Sequence, residues 1–303
     1  MSKTRHPAPS TKACRQVNRA VNARRAMSRK RLLVLYFSGT GNTEFIAHGF
    51  SARWRSANRA VLCQSIEVSD PTHLPAADAL AIGFPVYGLR APRRVTEFID
   101  RMPMTSETPS FVFDTHALLV ADANYRVQRQ LIRRGYLAAG YTSIKMPPTD
   151  RLAFARSGSR LQRSAAHTIA NARGVMDRAA EAFLRTLGSH LVVPQNGDHG
   201  PRGRRVLDHL FHSAFHRFES GIRSRFAVDD RCMACGRCAA DCPTNAIEIV
   251  DRIPRFSDSC MLCLRCLHNC PARAIQIGRG TVDRARWHGP TGAFSAPGRR
   301  HHG

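Results

Sequence analysis

Residues 232–243 read CMACGRCAADCP, and residues 260–271 read CMLCLRCLHNCP. Both runs follow the spacing C-x2-C-x2-C-x3-C-P, and they lie 28 residues apart. The repeat continues beyond the cysteines, because Ala246-Ile247 matches Ala274-Ile275 at the same offset. This pattern predicts a duplicated half-domain. Eight of the ten cysteines of the chain belong to it: Cys232, Cys235, Cys238, Cys242, Cys260, Cys263, Cys266 and Cys270.

The cysteine spacing indicates iron–sulfur clusters. Three thiolates on one tight loop can hold three corners of a [4Fe–4S] cluster, and a fourth that is followed by proline points away from that loop. Structural zinc usually takes two CxxC pairs with a longer spacer, and a disulfide framework needs an oxidising compartment. We therefore expect two [4Fe–4S] clusters and electron transfer. The remaining cysteines are interpreted as a small core residue, Cys63, and an incidental residue of a basic tail, Cys14.

A second motif opens the front half of the chain. Residues 32–37 form a short apolar run, which predicts a strand buried on both faces of a parallel sheet. The run continues into SGTGNT and then into a helical stretch at 44–56. Backbone N–H groups, the helix dipole and three hydroxyls meet there, which predicts an anion site; a purely structural turn is the alternative. The residues of this site are Ser38, Gly39, Thr40, Gly41, Asn42 and Thr43.

Strands and helices alternate after this motif. Such alternation is typical of βαβ units in a parallel sheet with right-handed crossovers. The predicted fold class is therefore α/β, with a doubly wound parallel sheet in the front half followed by a small α+β module around the cysteines. The remaining strands are predicted at 60–66, 79–84, 111–114 and 141–146, and the helices at 92–101 and 122–139.

The SGTGNT loop resembles the phosphate loop of flavodoxins, Ser/Thr-x-Thr-Gly-x-Thr, which binds FMN at the switch point of a doubly wound sheet. The segment GFPVYG after the third predicted strand is similar to the flavodoxin loop beside the isoalloxazine ring. The resemblance implies an FMN site that includes Pro85, Val86, Tyr87 and Gly88, with Tyr87 either stacked on the ring or packed within its own loop.

One loop departs from this resemblance. Residues 114–120 read DTHALLV and contain no glycine, whereas many flavodoxin-like proteins have a glycine-rich loop after the fourth strand. Two expectations follow from the departure. Either the edge of the flavin is recognised differently, or a phosphate site remains without tight flavin binding.

The middle of the chain predicts a junction between two domains. Residues 151–187 carry apolar residues at helical spacing, a breaker cluster rich in Gly follows at 195–205, and residues 207–222 predict an amphipathic docking helix. Three histidines on that helix are interpreted as a solvated face, with a metal site as the alternative. The predicted parts are a disordered basic arm at 1–30, a flavodoxin-like domain at 31–193, a linker and docking helix at 194–226, a two-cluster domain at 227–280 and a disordered tail at 281–303.

Taken in order, the chain resembles bacterial and archaeal fusion proteins in which a flavodoxin-like domain precedes a two-cluster ferredoxin. The resemblance covers residues 31–280. It implies crossed ligation, in which the fourth cysteine of each run serves the other cluster. It also implies FMN as a cofactor and redox partner proteins as electron donor and acceptor. The first cluster would be held by Cys232, Cys235, Cys238 and Cys270, and the second by Cys260, Cys263, Cys266 and Cys242.

The net charge of +24 is concentrated outside the motifs. Residues 1–31 contain ten Lys or Arg and no acid, and the end of the chain is also basic, so both ends are predicted to be disordered. No recognisable nucleic-acid module accompanies this charge, so nucleic-acid binding is not the expected function. No apolar run reaches the roughly 18 residues of a membrane span, and no secretory signal is recognisable. We expect a cytoplasmic protein.

The leading hypothesis for function is an electron-transfer protein that relays electrons between FMN and the two clusters. The sequence places no general acid, base or nucleophile in a motif context, so no catalytic residue is predicted. A flavin-dependent iron–sulfur reductase of a small substrate is the alternative. A redox-sensing regulator that binds nucleic acid is the second alternative.

Overall fold

The computed structural model describes residues 31–189 and 219–297. In the front half, five parallel strands form one sheet: β1 (Arg31–Tyr36), β2 (Ala60–Ser65), β3 (Ala79–Pro85), β4 (Pro109–His116) and β5 (Leu137–Lys145). Their order in the sheet is β2-β1-β3-β4-β5. This is the flavodoxin-like order among doubly wound α/β folds, so the predicted fold class is confirmed.

The helices of this half are α1 (Asn42–Ser56), α2 (Arg93–Arg101), α3 (Ala123–Arg133), α4 (Thr149–Leu152) and α5 (Arg160–Ser189). On one face of the sheet, Phe50 and Trp54 of α1 share an apolar core with residues of α5 and with Val34 of β1. On the other face, Val127 of α3 belongs to a second core with Leu35 of β1. Successive residues of β1 therefore enter opposite cores, as a strand buried on both sides requires. None of the helices described here is long and apolar enough to cross a membrane.

The helix predicted at 122–139 is wrong at its C-terminal end. α3 ends at Arg133, and Gly135 has a φ of 87°, in the left-handed region. A Cβ added to Gly135 would lie 1.7 Å from the carbonyl oxygen of Thr105, so only glycine fits there. The chain then turns directly into β5, which begins at Leu137 rather than at residue 141. The other predicted strands differ from the observed ones by at most two residues at either end.

The junction is described only in part. The helical stretch predicted at 151–187 is α5, and it begins later than expected because α4 and a turn precede it. The predicted breaker cluster at 195–205 lies outside the described residues, as do the three histidines, most of the docking helix at 207–222 and the arm at 1–30. The domain boundaries in these segments stay predictions. Cys63, interpreted as a core residue, is half-buried against the core beside α1 and α5.

The cysteine-bearing half contains four short strands: β6 (Phe226–Val228), β7 (Ile247–Val250), β8 (Ile253–Phe256) and β9 (Ile275–Ile277). β6 pairs with β9 and β7 pairs with β8, both antiparallel. The short helices α6 (Arg237–Ala240) and α7 (Arg265–Asn269) each begin inside one cysteine run. The order strand–helix–strand thus occurs twice, as the sequence repeat predicts. Apolar residues of the second copy, including Leu264, Leu267 and Ile275, form the small core of this half.

Residues 281–297 form a C-terminal segment that packs on the front half. The disorder predicted for 281–303 is therefore wrong for this part. Ala285, Phe294 and Ala296 are 5%, 7% and 5% exposed, and the Trp287 Nε1–H donates to Asn42 Oδ1 at 3.2 Å. These apolar residues follow neither a helical nor a strand period, so their pattern does not predict burial. They are buried because a surface of the front half receives them.

Candidate cofactor cavity and cluster loops

The first cysteine loop (residues 232–238) curves around a small cavity. Ala234 and Gly236 have φ angles of 54° and 70°, and these left-handed residues produce the tight turns that a short ligand loop needs. Cys270, from the second run, lines the same cavity, and Cys266 also reaches it. The structure therefore brings together the four thiols that the resemblance implies for the first cluster: Cys232, Cys235, Cys238 and Cys270.

The second set of thiols is more deeply buried. Burial raises the pKa of the Cys260 and Cys266 thiols, and it raises the pKa of Cys263 to about 12. The nearby Cys242 thiol, from the first run, adds to the rise in all three. These four residues are the crossed set that the resemblance implies for the second cluster. A cluster would take them as thiolates, so its binding releases their protons.

The two cysteine runs share a pattern of hydrogen bonds to sulfur. In the described ranges, no group of three or more His, Cys, Asp or Glu side chains has the geometry of a metal-ion site. Zinc needs ligands that converge on one point, whereas the thiolates of a [4Fe–4S] cluster bind separate iron atoms. Two N–H···S hydrogen bonds occupy equivalent places in the repeat, from Ala246 N to Cys242 Sγ (3.2 Å) and from Ala274 N to Cys270 Sγ (3.3 Å). Such bonds stabilise thiolate ligands.

The SGTGNT loop connects β1 to α1 with its hydroxyl residues buried. Ser38, Thr40 and Thr43 are 1%, 5% and 1% exposed. Gly41, with a φ of 94°, is the N-cap of α1 and provides no side-chain cap for the first turn. An uncapped N-terminus of a 15-residue helix is a favourable place for an anion. Two of the hydroxyls also hold the loop together: Ser38 Oγ accepts from Gly41 N (3.1 Å), and Thr43 Oγ1 lies 2.7 Å from Thr115 Oγ1.

This loop borders a cavity of about 390 Å³. The volume falls in the range of roughly 300–1,000 Å³ that is usual for small-molecule sites. Besides the SGTGNT loop, the walls come from residues 85–89 after β3, 115–119 after β4, 146–150 after β5 and 261–264 in the second cysteine run. Of the ten residues predicted to bind a cofactor, all but Gly41 line the cavity. The SGTGNT loop and Cys263 therefore border the same cavity.

Tyr87 belongs to the wall between these two features. A Cβ added to Gly39 would lie 2.1 Å from Tyr87 Oη and 3.1 Å from Cys263 Cβ, so both residues approach the backbone of Gly39 closely. Only glycine allows this approach. Burial raises the pKa of Tyr87 well above its ordinary value, so its hydroxyl stays protonated. Tyr87 thus packs against Gly39 of the SGTGNT loop and against the core of this domain, and stacking on a flavin ring stays a prediction.

Arg265 joins the second cysteine run to the SGTGNT loop. Its side chain is 2% exposed and forms a two-point ion pair with Glu67, at 2.8 and 2.7 Å. It also donates to the carbonyl oxygens of Ser38 (2.7 Å), Gly39 (3.0 Å) and Asp241 (2.9 Å). Burial lowers the pKa of Arg265, but the bonds to Glu67 more than offset this, so the guanidinium stays charged. The sequence analysis did not single out Arg265, because one arginine in a basic chain has no distinguishing pattern.

The C-terminal segment covers the same loop from another side. A Cβ added to Gly41 would lie 2.9 Å from the Cα of Gly289 and 2.9 Å from Phe294 Cβ. His268 anchors the segment, because its Nδ1 accepts from Trp287 N (3.0 Å) while its Nε2 donates to the carbonyl of Thr149 (3.1 Å). Burial lowers the pKa of His268 to about 3, so it makes these bonds as a neutral imidazole.

The C-terminal end of β4 contains a hydrogen-bond network that the sequence analysis missed. Asp114, 0% exposed, lies 2.9 Å from His116 Nδ1 through its Oδ1 atom, and its Oδ2 accepts from Ser143 Oγ at 2.6 Å and from Asn124. His116 and Thr115 line the cavity. The available signal was the unusual DTH sequence where related loops are rich in glycine. The two expectations that follow from this sequence, a different recognition of the flavin edge or a phosphate site without tight flavin binding, do not include a carboxylate–histidine pair.

A family model described as a 4Fe-4S binding domain matches residues 228–248, which include the first cysteine run. The chain combines a flavodoxin-like domain with a 4Fe–4S ferredoxin domain. The second cysteine run lies outside the matched residues. A [4Fe–4S] cluster, where one is bound, exchanges one electron at a time. No match was found among curated protein sequences.

Several solved structures are similar to the flavodoxin-like domain. A flavodoxin from the domain Archaea shares 16% identity, with 50% of this chain and 98% of that chain covered and a TM-score of 0.36. Flavodoxin 2 from Bacillus cereus shares 21% identity over 52% of this chain and 99% of its own, with a TM-score of 0.41. The Flv1 flavodiiron core from Synechocystis sp. PCC6803 shares 15% identity over 59% of this chain and 41% of its own, with a TM-score of 0.38. The fold assignment rests on the strand order rather than on these values.

Proposed function

We propose that this protein relays electrons between an FMN in the flavodoxin-like domain and two [4Fe–4S] clusters in the ferredoxin domain, and from there to a redox partner protein. One observation carries the proposal: the cavity beside the SGTGNT loop is also lined by Cys263, a ligand of the proposed second cluster. A flavin in this cavity would lie next to that cluster. Electrons would then pass without a large movement of either domain.

The residues around the cavity support FMN as the ligand. The uncapped N-terminus of α1 and the hydroxyls of Ser38 and Thr40 suit a phosphate group, because N–H and O–H donors there meet the positive end of the helix dipole. Apolar residues such as Val86, Leu118 and Met261 provide walls for a flat ring. When bound, FMN would supply one- and two-electron chemistry, whereas each cluster exchanges one electron.

The first cluster is the proposed exit to the partner. Cys235 is exposed while the other seven cluster cysteines are half-buried, and the neighbouring Met233 is 60% exposed. The second cysteine loop is covered by the flavodoxin-like domain through Arg265 and Tyr87. A partner protein can therefore approach the first cluster directly. The order of transfer we propose is flavin, second cluster, first cluster, partner.

A reductase of a small substrate is the second candidate function. The Asp114–His116 pair favours it, because a histidine held by a buried carboxylate is a common source of protons in catalysis. Such an enzyme needs room for a substrate beside the flavin within the same cavity. Oxidation of bound, reduced FMN by candidate substrates, measured with the clusters removed, separates the two functions.

The main test is anaerobic reconstitution with iron, sulfide and FMN. We expect about eight iron atoms per chain, since each [4Fe–4S] cluster contains four, and one FMN per chain by absorption. Thr40→Val should weaken FMN binding at least about tenfold, because a hydrogen bond to a charged group contributes about 1.5–3 kcal/mol. Thr96→Val is the matched control, since within residues 31–189 and 219–297 the Thr96 hydroxyl bonds only the helix carbonyl of Arg93. About two iron atoms per chain, stoichiometric zinc or no FMN binding would contradict the proposal.

A further inference from the structure

The Asp114–His116 pair is a buried, hydrogen-bonded polar pair at the cavity wall. Asp114 lies two residues before the end of β4 with no exposed surface, and its carboxylate lies within hydrogen-bonding distance of His116 Nδ1 (2.9 Å), Ser143 Oγ (2.6 Å) and Asn124 Nδ2 (2.5 Å). A buried carboxylate with three such neighbours is held in one position. His116 is held in turn, with its side chain only 13% exposed.

The pairing determines where the proton of His116 resides. An ionised carboxylate only accepts hydrogen bonds, so we assign a proton to the Nδ1 atom that faces Asp114. The Nε2 atom has no hydrogen-bond partner among the residues that the structure describes, and it is not a buried, unsatisfied atom. Nε2 is therefore available to take up a second proton. The carboxylate of Asp114 stabilises the imidazolium that results.

Other titratable groups lie near His116 or line the same cavity. Lys145 is the register partner of His116 on β5, and Asp150, Glu219 and Cys263 line the cavity. None of these groups repeats the geometry of His116, which is both fixed by a buried carboxylate and part of the cavity wall. Thr115, which lies between Asp114 and His116, links this pair to the SGTGNT loop, because its hydroxyl bonds the hydroxyl of Thr43. A ligand seated on that loop would lie beside His116.

We propose that His116, held by Asp114, takes up one proton when the flavin bound in this cavity is reduced. The inference rests on the proposed FMN site. The flavin would take up two electrons from an external reductant, such as dithionite in the test below, together with one proton from water, which would leave one negative charge on the ligand. A second proton from water would bond to His116 Nε2 and balance that charge. On reoxidation two electrons would pass one at a time to the clusters and both protons would return to water.

The physical reason is the effect of one charge on its neighbour. An opposite charge within about 4–6 Å favours the charged form of a titrating group, and the effect is larger where water is excluded. A negative ligand beside His116 therefore raises its affinity for a proton. By thermodynamic linkage, protonation of His116 makes the flavin easier to reduce. The midpoint potential of the flavin therefore rises as the pH falls.

The test is the pH dependence of the flavin midpoint potential in the FMN-loaded full chain. In the wild type we expect about two protons per two electrons near neutral pH, one on the flavin and one on His116. In His116→Gln the slope of potential against pH should fall twofold, because only the flavin proton remains. The matched control is His73→Gln: His73 Nδ1 lies 3.0 Å from Asp70 in the same kind of pair, but its side chain is 84% exposed and is not part of the cavity. Its slope should equal that of the wild type.

Each outcome bears on one claim. Equal slopes for His116→Gln and the wild type, with FMN bound to both, overturn the role of His116 and leave the FMN site intact. Failure of the wild type to bind FMN overturns the proposed function itself. If His116→Gln does not bind FMN, Asp114→Asn provides the second variant. It keeps the shape of the carboxylate but removes its charge, so the pH at which the wild-type slope changes should move to lower values; an unmoved slope would overturn the pair.

Discussion

The two cysteine loops have the same ligand spacing and opposite surroundings. In the first loop, Met233 is 60% exposed and Cys235 is exposed. At the equivalent places of the second loop, Met261 packs against the core of the flavodoxin-like domain and Cys263 lines the cofactor cavity. The arginines differ most. Arg237 pairs with Asp241 at 3.3 Å and keeps a 32% exposed side chain, whereas its counterpart is the buried Arg265.

The backbone of the two loops is nearly the same. Ala234 and Leu262 have φ angles of 54° and 56°, and Gly236 and Leu264 have 70° and 60°. Left-handed residues at equivalent places follow from the ligand spacing, which demands the same tight turns in both copies. The residues between the ligands differ, and they decide which loop faces the flavodoxin-like domain. The repeat thus contains two cysteine loops of the same geometry, and the residues between the cysteines make one loop internal and the other external.

The largest expected effect comes from removing a ligand of one cluster at a time. Cys263→Ala should abolish electron transfer from reduced FMN to the ferredoxin domain, because it removes the proposed cluster that borders the cavity. Cys235→Ala should leave this transfer intact and abolish transfer to a partner. Bleaching of the cluster absorption after photoreduction of FMN measures the first step, and each variant should retain about four iron atoms per chain. Equal loss of the first step in both variants would show that the cluster order is wrong.

The arginine pair tests how the domains are joined. Arg265→Ala leaves Glu67 and three carbonyl groups without their partner, which should destabilise the protein by about 3–5 kcal/mol. The melting temperature should fall by about 6–20 °C in an anaerobic thermal scan. Arg237→Ala, the repeat-equivalent control, should cost about 1 kcal/mol, since its ion pair is partly exposed. Similar losses for both variants would mean that Arg265 does not join the domains.

Replacing Met261 or Met233, which occupy equivalent places in the two loops, should have the smallest effect on stability. Met261→Ala should cost roughly 1–2 kcal/mol, somewhat less than the 2–5 kcal/mol of a fully buried methionine, because Met261 is only partly buried. Met233→Ala should change stability by no more than about 0.5 kcal/mol, as is usual for surface substitutions. If Met233→Ala slows transfer to the partner while stability is unchanged, the first loop is the docking surface. Denaturant unfolding and partner reduction measure the two effects.

Much of the fold follows from local sequence patterns. Apolar runs such as 32–37 predict buried strands, and their alternation with helical segments predicts a parallel sheet, as observed. The error after α3 arose because a helical period continued past Gly135, where the close approach of Thr105 demands a left-handed glycine. The burial of Phe294 was also missed, because a segment without secondary-structure periodicity is ordered here only by the surface that it covers.

The motifs of the candidate site were predictable from the sequence, but their arrangement around one cavity was not. Cysteine spacing and the SGTGNT loop are local patterns, since their chemistry depends on residues close in sequence. Their convergence on one cavity involves residues more than 200 positions apart, such as Gly39 and Cys263, and no local pattern records such a contact. The Asp114–His116 pair was visible in the sequence but uninterpretable, because its meaning depends on burial and on Ser143 and Asn124.

The sequence by itself predicted the kinds of chemistry in this protein, from eight cysteines with the spacing of iron–sulfur ligands and from a Gly- and hydroxyl-rich loop at the start of a helix, where an anion site is expected. Both motifs depend on backbone geometry over a few residues, so they can be recognised without knowledge of the rest of the fold. Only the tertiary structure decided which cluster loop is internal, that Arg265 bonds the carbonyl groups of the SGTGNT loop, and that a histidine faces the cavity. Those features depend on burial and distance between remote segments, which arise when the two domains pack.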